Sequence, residues 1–396
     1  MHNFLIKICE GVNVLKRKTL LNVSIVFVLL LSLLLSCVAY SQTVSTPLLK
    51  AGLAYAQAQS SKTIDEEFRI DLRYSAGNNA TENSKKLEEF FKKMHIKGRV
   101  VSDVSKYESS MQITLYYNNK ELLKGSIYVN KEYVAYNFPQ VYSKPLYVKL
   151  SDAYANMPVQ IDVNKYIKLF DIQNNPQLQA LLASYADVVL PKFASCAKLS
   201  NQKVELKFSN GKKEVCDEII FEFNKNSSLD LLKAILTKAA DDKATKEFVL
   251  NVAKTILEDS QAILNAQQLN KTTTLNIDEI MKQAEANYSQ SIKEVVYQLD
   301  KMSPQIPPFT LQYRMMVDSK NNFKGERLYF YLKDSNNLKV MFDLKGVINS
   351  LNQPVNITKI DISKGVDISK LSDKDFETMM KNVENILKMA GISITK

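Results

Sequence analysis

Residues 309–344 read FTLQYRMMVDSKNNFKGERLYFYLKDSNNLKVMFDL, and the periodicity of this stretch decides the fold class. Phe309, Leu311, Tyr313, Met315 and Val317 recur at every second position, followed by Leu328, Phe330 and Leu332 and then by Val340, Phe342 and Leu344. A period of two gives a strand one buried and one wet face. Asn321-Asn322 and Asn336-Asn337 separate the runs, and asparagine tolerates the backbone of a tight turn. The stretch therefore predicts an antiparallel β-meander, with Pro304, Pro307 and Pro308 ending a helix just before it.

Working outward, the same alternation appears at Phe68-Arg69-Ile70-Asp71-Leu72-Arg73-Tyr74 and again over 99–150. There Met111, Ile113 and Leu115 run up to an Asn118-Asn119 turn, and strands over 122–129, 132–138 and 146–150 continue a first meander. Asn210-Gly211 between Val204–Phe208 and Val215–Phe223 is the strongest hairpin signal. Helices are predicted over 46–60, over 82–95 with His95 facing the helix C-terminus, and over 163–195 with a break at Asn175-Pro176. A helix capped at Asn226-Ser227-Ser228 runs through Ala239, and Asp241-Asp242 opens another through Asp259. Residues 277–302 carry Ile280, Ala284, Tyr288, Ile292, Val295 and Leu299 on one face, which most simply packs on the sheet. Asp361-Ile-Ser-Lys and Asp367-Ile-Ser-Lys lack the order of a calcium loop and read as a strand end and a polar loop. Ser372 caps a last helix using Phe376, Met379, Val383 and Ile386. The fold expected is α+β, with an antiparallel, curved, half-barrel-like sheet in two meanders and helices on one face.

Four segments follow from this order: a signal peptide over 1–41, or ending at 36; a helix and β-meander over 42–162; helices with one hairpin over 163–303; and the second meander with the last helix over 304–396. The alternative is a single two-lobed domain over 42–396.

Composition removes several chemistries. The chain has 396 residues, two histidines, ten glycines, four cysteines and no tryptophan. His95 is the sole imidazole beyond residue 2, so a triad or a histidine-based zinc site would have to use it. The glycines never cluster into a phosphate-binding loop. A hydrolase would rest on carboxylates such as Glu66, Glu67, Asp241 or Asp242, and helix capping already explains the last two. No catalytic residue, metal ligand or cofactor is assigned, and the chain reads as a non-enzyme.

The first forty residues look like an export signal. Lys16, Arg17 and Lys18 precede the apolar run Leu20–Leu35, and no charge follows until Lys50. Ala39-Tyr40-Ser41 offers cleavage between Ser41 and Gln42, whereas Leu34-Leu35-Ser36-Cys37 reads as a lipobox that would lipidate Cys37. An uncleaved anchor over Leu20–Tyr40 is the third reading, at about 20 residues. Val14–Lys18 would make a compact basic start, which points to a true start codon downstream of Met1. Each reading places the protein outside the cytoplasm, secreted or held on the outer face of a bacterial membrane.

In that compartment Cys196 and Cys216 are expected to form a disulfide worth about 3 kcal/mol. Without residues 1–41 the chain keeps a net charge of +7, almost all of it lysine, since arginine occurs only at 17, 69, 73, 99, 314 and 327. No basic block or arginine-aromatic stripe marks a nucleic-acid binder, and weak attraction to an anionic wall polymer or lipid headgroups is the functional reading.

A resemblance adds to this. LLKAGLAYAQAQSSKTIDEEFRIDLRYS (48–75) resembles the start of bacterial envelope lipoproteins of the LolA and LppX-like class. KVELKFSNGKKEVCDEIIFEFNKNSSLDLLKAILTKAADDK (203–243), followed by FTLQYRMMVDSKNNFKGERLYFYL (309–332), is similar to uncharacterised secreted proteins of Firmicutes. The resemblance implies a curved sheet with helices in its concavity and a site for acyl chains. Tyr116, Tyr128, Tyr136, Phe309, Tyr313, Phe330 and Phe342 are the expected lining of a hydrophobic ligand site. The alternative is a structural or interaction module contacting wall polymer or a protein partner.

Overall fold

The computed structural model describes residues 46–78, 80–151, 165, 175–266 and 276–391. The signal segment with Cys37, Ser41 and Gln42, and the helix expected over 163–174 apart from Lys165, lie outside the described residues.

The local signals build most elements as expected. Helix α1 spans Thr46–Gln59 and strand β1 spans Thr63–Ser75. Helix α2, Glu82–Lys93, starts where the Thr81 hydroxyl accepts from the Ser84 amide. Strands β2 (Met94–Asp103), β3 (Glu108–Tyr117), β4 (Lys120–Val129), β5 (Tyr133–Asn137) and β6 (Leu146–Lys149) follow. The β3–β4 turn works because Asn118 and Asn119 both take positive φ, 52° and 62°, which matches the twist of a two-residue hairpin. Asn175 caps α3 (Pro176–Ser184), and α4 (Ala186–Cys196) leads into β7 (Ala197–Leu199). The hairpin of β8 (Val204–Lys207) and β9 (Lys213–Asn224) turns at Gly211, φ 80°.

Three helices follow: α5 (Lys225–Asp241), α6 (Lys243–Ala266) and α7 (Ile277–Met302). Strands β10 (Phe309–Val317), β11 (Phe323–Lys333) and β12 (Lys339–Leu351), the short β13 (Val366–Asp367) and α8 (Asp373–Met389) complete the chain.

The protein is α+β, with a large, mostly antiparallel, unclosed sheet. Its order is β13-β6-β5-β4-β3-β2-β1-β12-β11-β10-β9-β7, with β8 also paired to β9. Only β13 runs parallel to its neighbour, β6, among the described pairings. The seam is β1 against β12, antiparallel from Ile64 with Leu351 to Ser75 with Lys339. It joins the early strands to the late ones across most of the chain length.

Several local expectations are corrected. His95 is not a helix-end cation: α2 stops at Lys93, and His95 sits within β2, buried and stacked on Tyr116 at 4.8 Å. Alternating chemistry from Met94 onward suits the ladder with β1 and β3 better than another helical turn. Asn224, two residues before the expected cap, closes a reciprocal capping box with Ser227. Helix α7 packs on α5 and α6 rather than on the sheet. Each Asp-Ile-Ser-Lys phrase forms one 3-10 turn, with Asp361 and Asp367 accepting from the amides of Ser363 and Ser369.

The expected disulfide is absent. Cys196 packs against the core around Phe193 and Phe221, while Cys216 lies with Leu206, Phe208 and Met316. Cys196 ends α4 just before Ala197, which pairs with Phe221, five residues along β9 from Cys216, and the two thiols belong to separate core clusters. Burial pushes the Cys216 thiol up to about 11.

Candidate functional site

Strand register sorts every side chain onto one of two faces. On the first, the helix face, Leu48, Ala51 and Ala54 of α1 and Val189 and Phe193 of α4 bury Phe221, Phe223, Leu311, Tyr313 and Met315. At the far side Phe90 of α2, Ile386 of α8 and Ala390 just after it pack around Leu122 with Leu115, Tyr117 and Leu123. Between these clusters one lateral row runs Leu344, Ile70, Ile96 and another runs Phe342, Leu72. These side chains, with Phe68 and Ile113, are only partly buried. An apolar band thus crosses the middle of the sheet and stays partly exposed.

Glycines shape this band. Gly346, Phe68, Gly98, Ile113 and Gly125 lie in one row across five strands. A Cβ on Gly98 would meet the Phe68 ring at 2.3 Å, and one on Gly125 would meet the Phe138 ring at 2.1 Å. Aromatic rings therefore lie flat over strand positions that have no side chain. The sequence shows these glycines as isolated residues, and only the register aligns them.

A polar island interrupts the apolar face. Tyr313 donates to Glu326 at 2.8 Å, and Glu66 reaches over Gly346 from β1, where the β1–β12 register shifts between Asp65 and Glu66. Burial, with the Glu326 charge adding to it, raises the Glu66 carboxyl from 4.5 to about 7. Burial raises Glu326 as well, and holds the Tyr313 phenol well above its ordinary value. Two carboxyls that disfavour ionisation side by side titrate as a unit. Of the carboxylates singled out in the sequence, only Glu66 lies in this face. Asp241 pairs with Lys293 at 3.0 Å, and Asp242 accepts from the Thr245 amide at 2.7 Å. Among the described residues, no three His, Cys, Asp or Glu side chains converge as a metal site.

The seven expected lining residues divide between the two faces. Phe309, Tyr313, Phe330, Phe342 and Tyr136 belong by register to the helix face. Phe309 and Phe330 are 5.9 Å apart, and Tyr313 is buried under α1. Tyr116 and Tyr128 are on the other side. Tyr116 stacks on His95, and Tyr128 is fully buried beside Ile360, donating to Glu108 at 3.0 Å. Residue parity within each strand was legible, but parity between strands depends on register.

The opposite face is charged. Arg314 meets Glu218 at 3.2 Å, Arg327 forks onto Asp343 at 2.7 and 2.9 Å, Arg69 forks onto Asp71 at 2.7 and 2.8 Å, and Arg99 forks onto Asp65 at 2.8 and 2.6 Å. With Arg73 beside Asp71, every arginine after residue 41 lies on this face. The guanidinium fork matches a carboxylate bidentately, which a lysine cannot do. Arg99 holds Asp65 below the usual carboxylate range, and Arg69 does the same for Asp71. A cavity of about 410 Å³ opens on this side, lined by residues including Lys203, Arg314, Arg327 and Lys345.

Fold and site define an α+β protein on a wide, unclosed sheet with one apolar, helix-bearing face and one arginine-paired face. A scan against protein families finds no match, and a search of curated proteins finds none. Among solved structures, a β-barrel-like protein of the domain of unknown function DUF1849 from Brucella abortus aligns with 6% sequence identity. The alignment covers 73% of this chain and 97% of that one, with a TM-score of 0.16, a likeness too slight to carry an argument. The resemblance to the LolA and LppX-like class receives no support from these comparisons. No helix of the described residues is long and apolar enough to cross a membrane.

Proposed function

We propose that the protein is a non-enzymatic, extracytoplasmic envelope component that holds a lipid or other amphiphile against the apolar face of its sheet. The observation that carries this reading is the partly exposed band of Phe68, Ile70, Leu72, Ile96, Phe342 and Leu344 between two helix-covered clusters. Large contiguous apolar surface is costly in water and marks a place where something docks. The glycine row and the shift at Asp65/Glu66 are devices that curve a sheet, and a half-barrel-like curvature would turn the band into a trough for an acyl chain. Secretion or anchoring through the signal segment or a lipidated Cys37 completes the proposal.

The test is native mass spectrometry after mild purification, with titration of cis-parinaric acid as an acyl probe. Wild-type protein should bind saturably. Ile70→Glu and Ile96→Glu, which place a charge on paired positions of the band, should each weaken binding at least about tenfold, roughly 1.4 kcal/mol. Wild-type protein with no co-purified lipid and no saturable probe binding would overturn the reading.

A further inference from the structure

The charged face contains an alignment that the proposed amphiphile site does not use. Register places Arg314, Arg327, Lys345, Arg69, Lys97, Thr114 and Lys124 opposite one another on seven successive strands, β10 to β4. Every position but Thr114 is basic. At about 4.8 Å per strand the row spans about 29 Å. Like charges placed directly opposite each other in a sheet destabilise it, so such a row calls for a reason.

The row's own partners cover only part of its charge. Glu218 pairs with Arg314, Asp343 with both Arg327 and Lys345, and Asp71 with Arg69. Lys97 sits over the Tyr116 ring at 5.3 Å, and Lys124 has no ion-pair partner among the described residues. Lys97, Lys124 and Lys345 are exposed. One end of the row enters the 410 Å³ cavity, where Lys203 joins Arg314, Arg327 and Lys345 against Glu218.

We infer that this row is a binding track for an extended, non-aromatic polyanion carrying regularly spaced phosphate groups, which crosses the strands and ends in the cavity. Charge complementarity over the row's length argues for a chain rather than a single ion. The aromatic residues beside the row are already engaged, Tyr116 on His95 and Tyr329 with Arg327, leaving no stacking platform for nucleobases. This track is independent of the amphiphile site, which lies on the other face of the sheet.

The experiment measures binding of long-chain inorganic polyphosphate, with orthophosphate and a mixed-sequence single-stranded DNA for comparison, over a range of salt. The full chain should bind polyphosphate more tightly than either comparison ligand. A Lys97→Gln, Lys124→Gln, Lys345→Gln variant should lose about tenfold in affinity, and its salt slope should fall by about one per lost contact. A Lys86→Gln, Lys243→Gln, Lys254→Gln variant removes the same charge from exposed helix positions and should bind as wild type. Equal losses in the two variants, tighter binding of DNA, or no polyphosphate binding by wild type would each overturn the inference.

Discussion

The Glu66 carboxylate occupies the space a side chain on Gly346 would need: a Cβ there would lie 2.2 Å from Glu66 Oε1. The same Cβ would stand 3.2 Å from Glu326 Cγ, so the missing side chain lets two carboxyls share one spot on an otherwise apolar face. That arrangement makes the protein's stability sensitive to pH near neutrality.

Glu66 is raised in the folded state, from 4.5 to about 7, chiefly by burial. A raised acid favours folding while it keeps its proton, so its contribution is complete below 4.5 and is lost as pH climbs through about 7. Glu66→Gln keeps the shape and removes the titration. It should gain about 2 to 3 kcal/mol relative to wild type at pH 8, and little at pH 4, in urea unfolding. An unchanged pH slope in the variant would show that the carboxyl is not buried as described. The depressed carboxylates Asp65 and Asp71 act oppositely, losing their contribution as pH falls below the ordinary Asp value of 3.8.

Gly125 should tolerate alanine only when Phe138 is reduced. The three ring atoms nearest its would-be Cβ, at 2.1, 2.2 and 2.6 Å, all belong to Phe138. Gly125→Ala alone should cost about 1 to 3 kcal/mol by overpacking. In a Phe138→Ala background the same change should cost much less, and the coupling in a double-mutant cycle measures the contact. Additive effects would mean that the ring does not lie over the glycine.

Cys196 and Cys216 should both be alkylated in peptides from unfolded, unreduced protein. In the folded protein Cys196, half-buried, should react first. Cys216, fully buried with its thiol at about 11, should lag by orders of magnitude. A peptide pair linking the two residues in unreduced digests would contradict the geometry.

Asp343 neutralises two members of the basic row, Arg327 at 2.7 Å and Lys345 at 3.3 Å, and is itself 5% exposed. Asp343→Ala should destabilise by about 2 to 3 kcal/mol, because it strands a guanidinium between other cations. Replacing the pair together, Asp343→Leu with Arg327→Met, should cost less than the single change. Equal costs, read from denaturant midpoints, would place the stabilisation in packing rather than in the ion pair.

What can be read locally and what cannot divides sharply along this chain. Asn118-Asn119, Asn175-Pro176, the Asn210-Gly211 turn and the 277–302 helix each need only neighbours within a few residues, and each stands where its signal lies. His95 and the Asn224 cap were displaced because a helix end is decided by a balance of small terms that the adjoining strand tips. The two cysteines, 20 positions apart, suggested a bridge, yet the tertiary packing places Cys196, at the end of α4, and Cys216, on β9, in separate core clusters.

By itself the sequence determined the class of the fold. Alternation at period two, asparagine turns and capped amphipathic helices are local properties, enough to specify an α+β chain with antiparallel strands. Only the tertiary structure decided which strands meet. The pairing of β1 with β12 brings residue 64 beside residue 351. That register places Gly346, Gly98 and Gly125 in one row and scattered arginines and lysines in another. A register shift of one residue would exchange the faces, so neither the apolar band nor the basic track exists until long-range hydrogen bonding selects a single pairing.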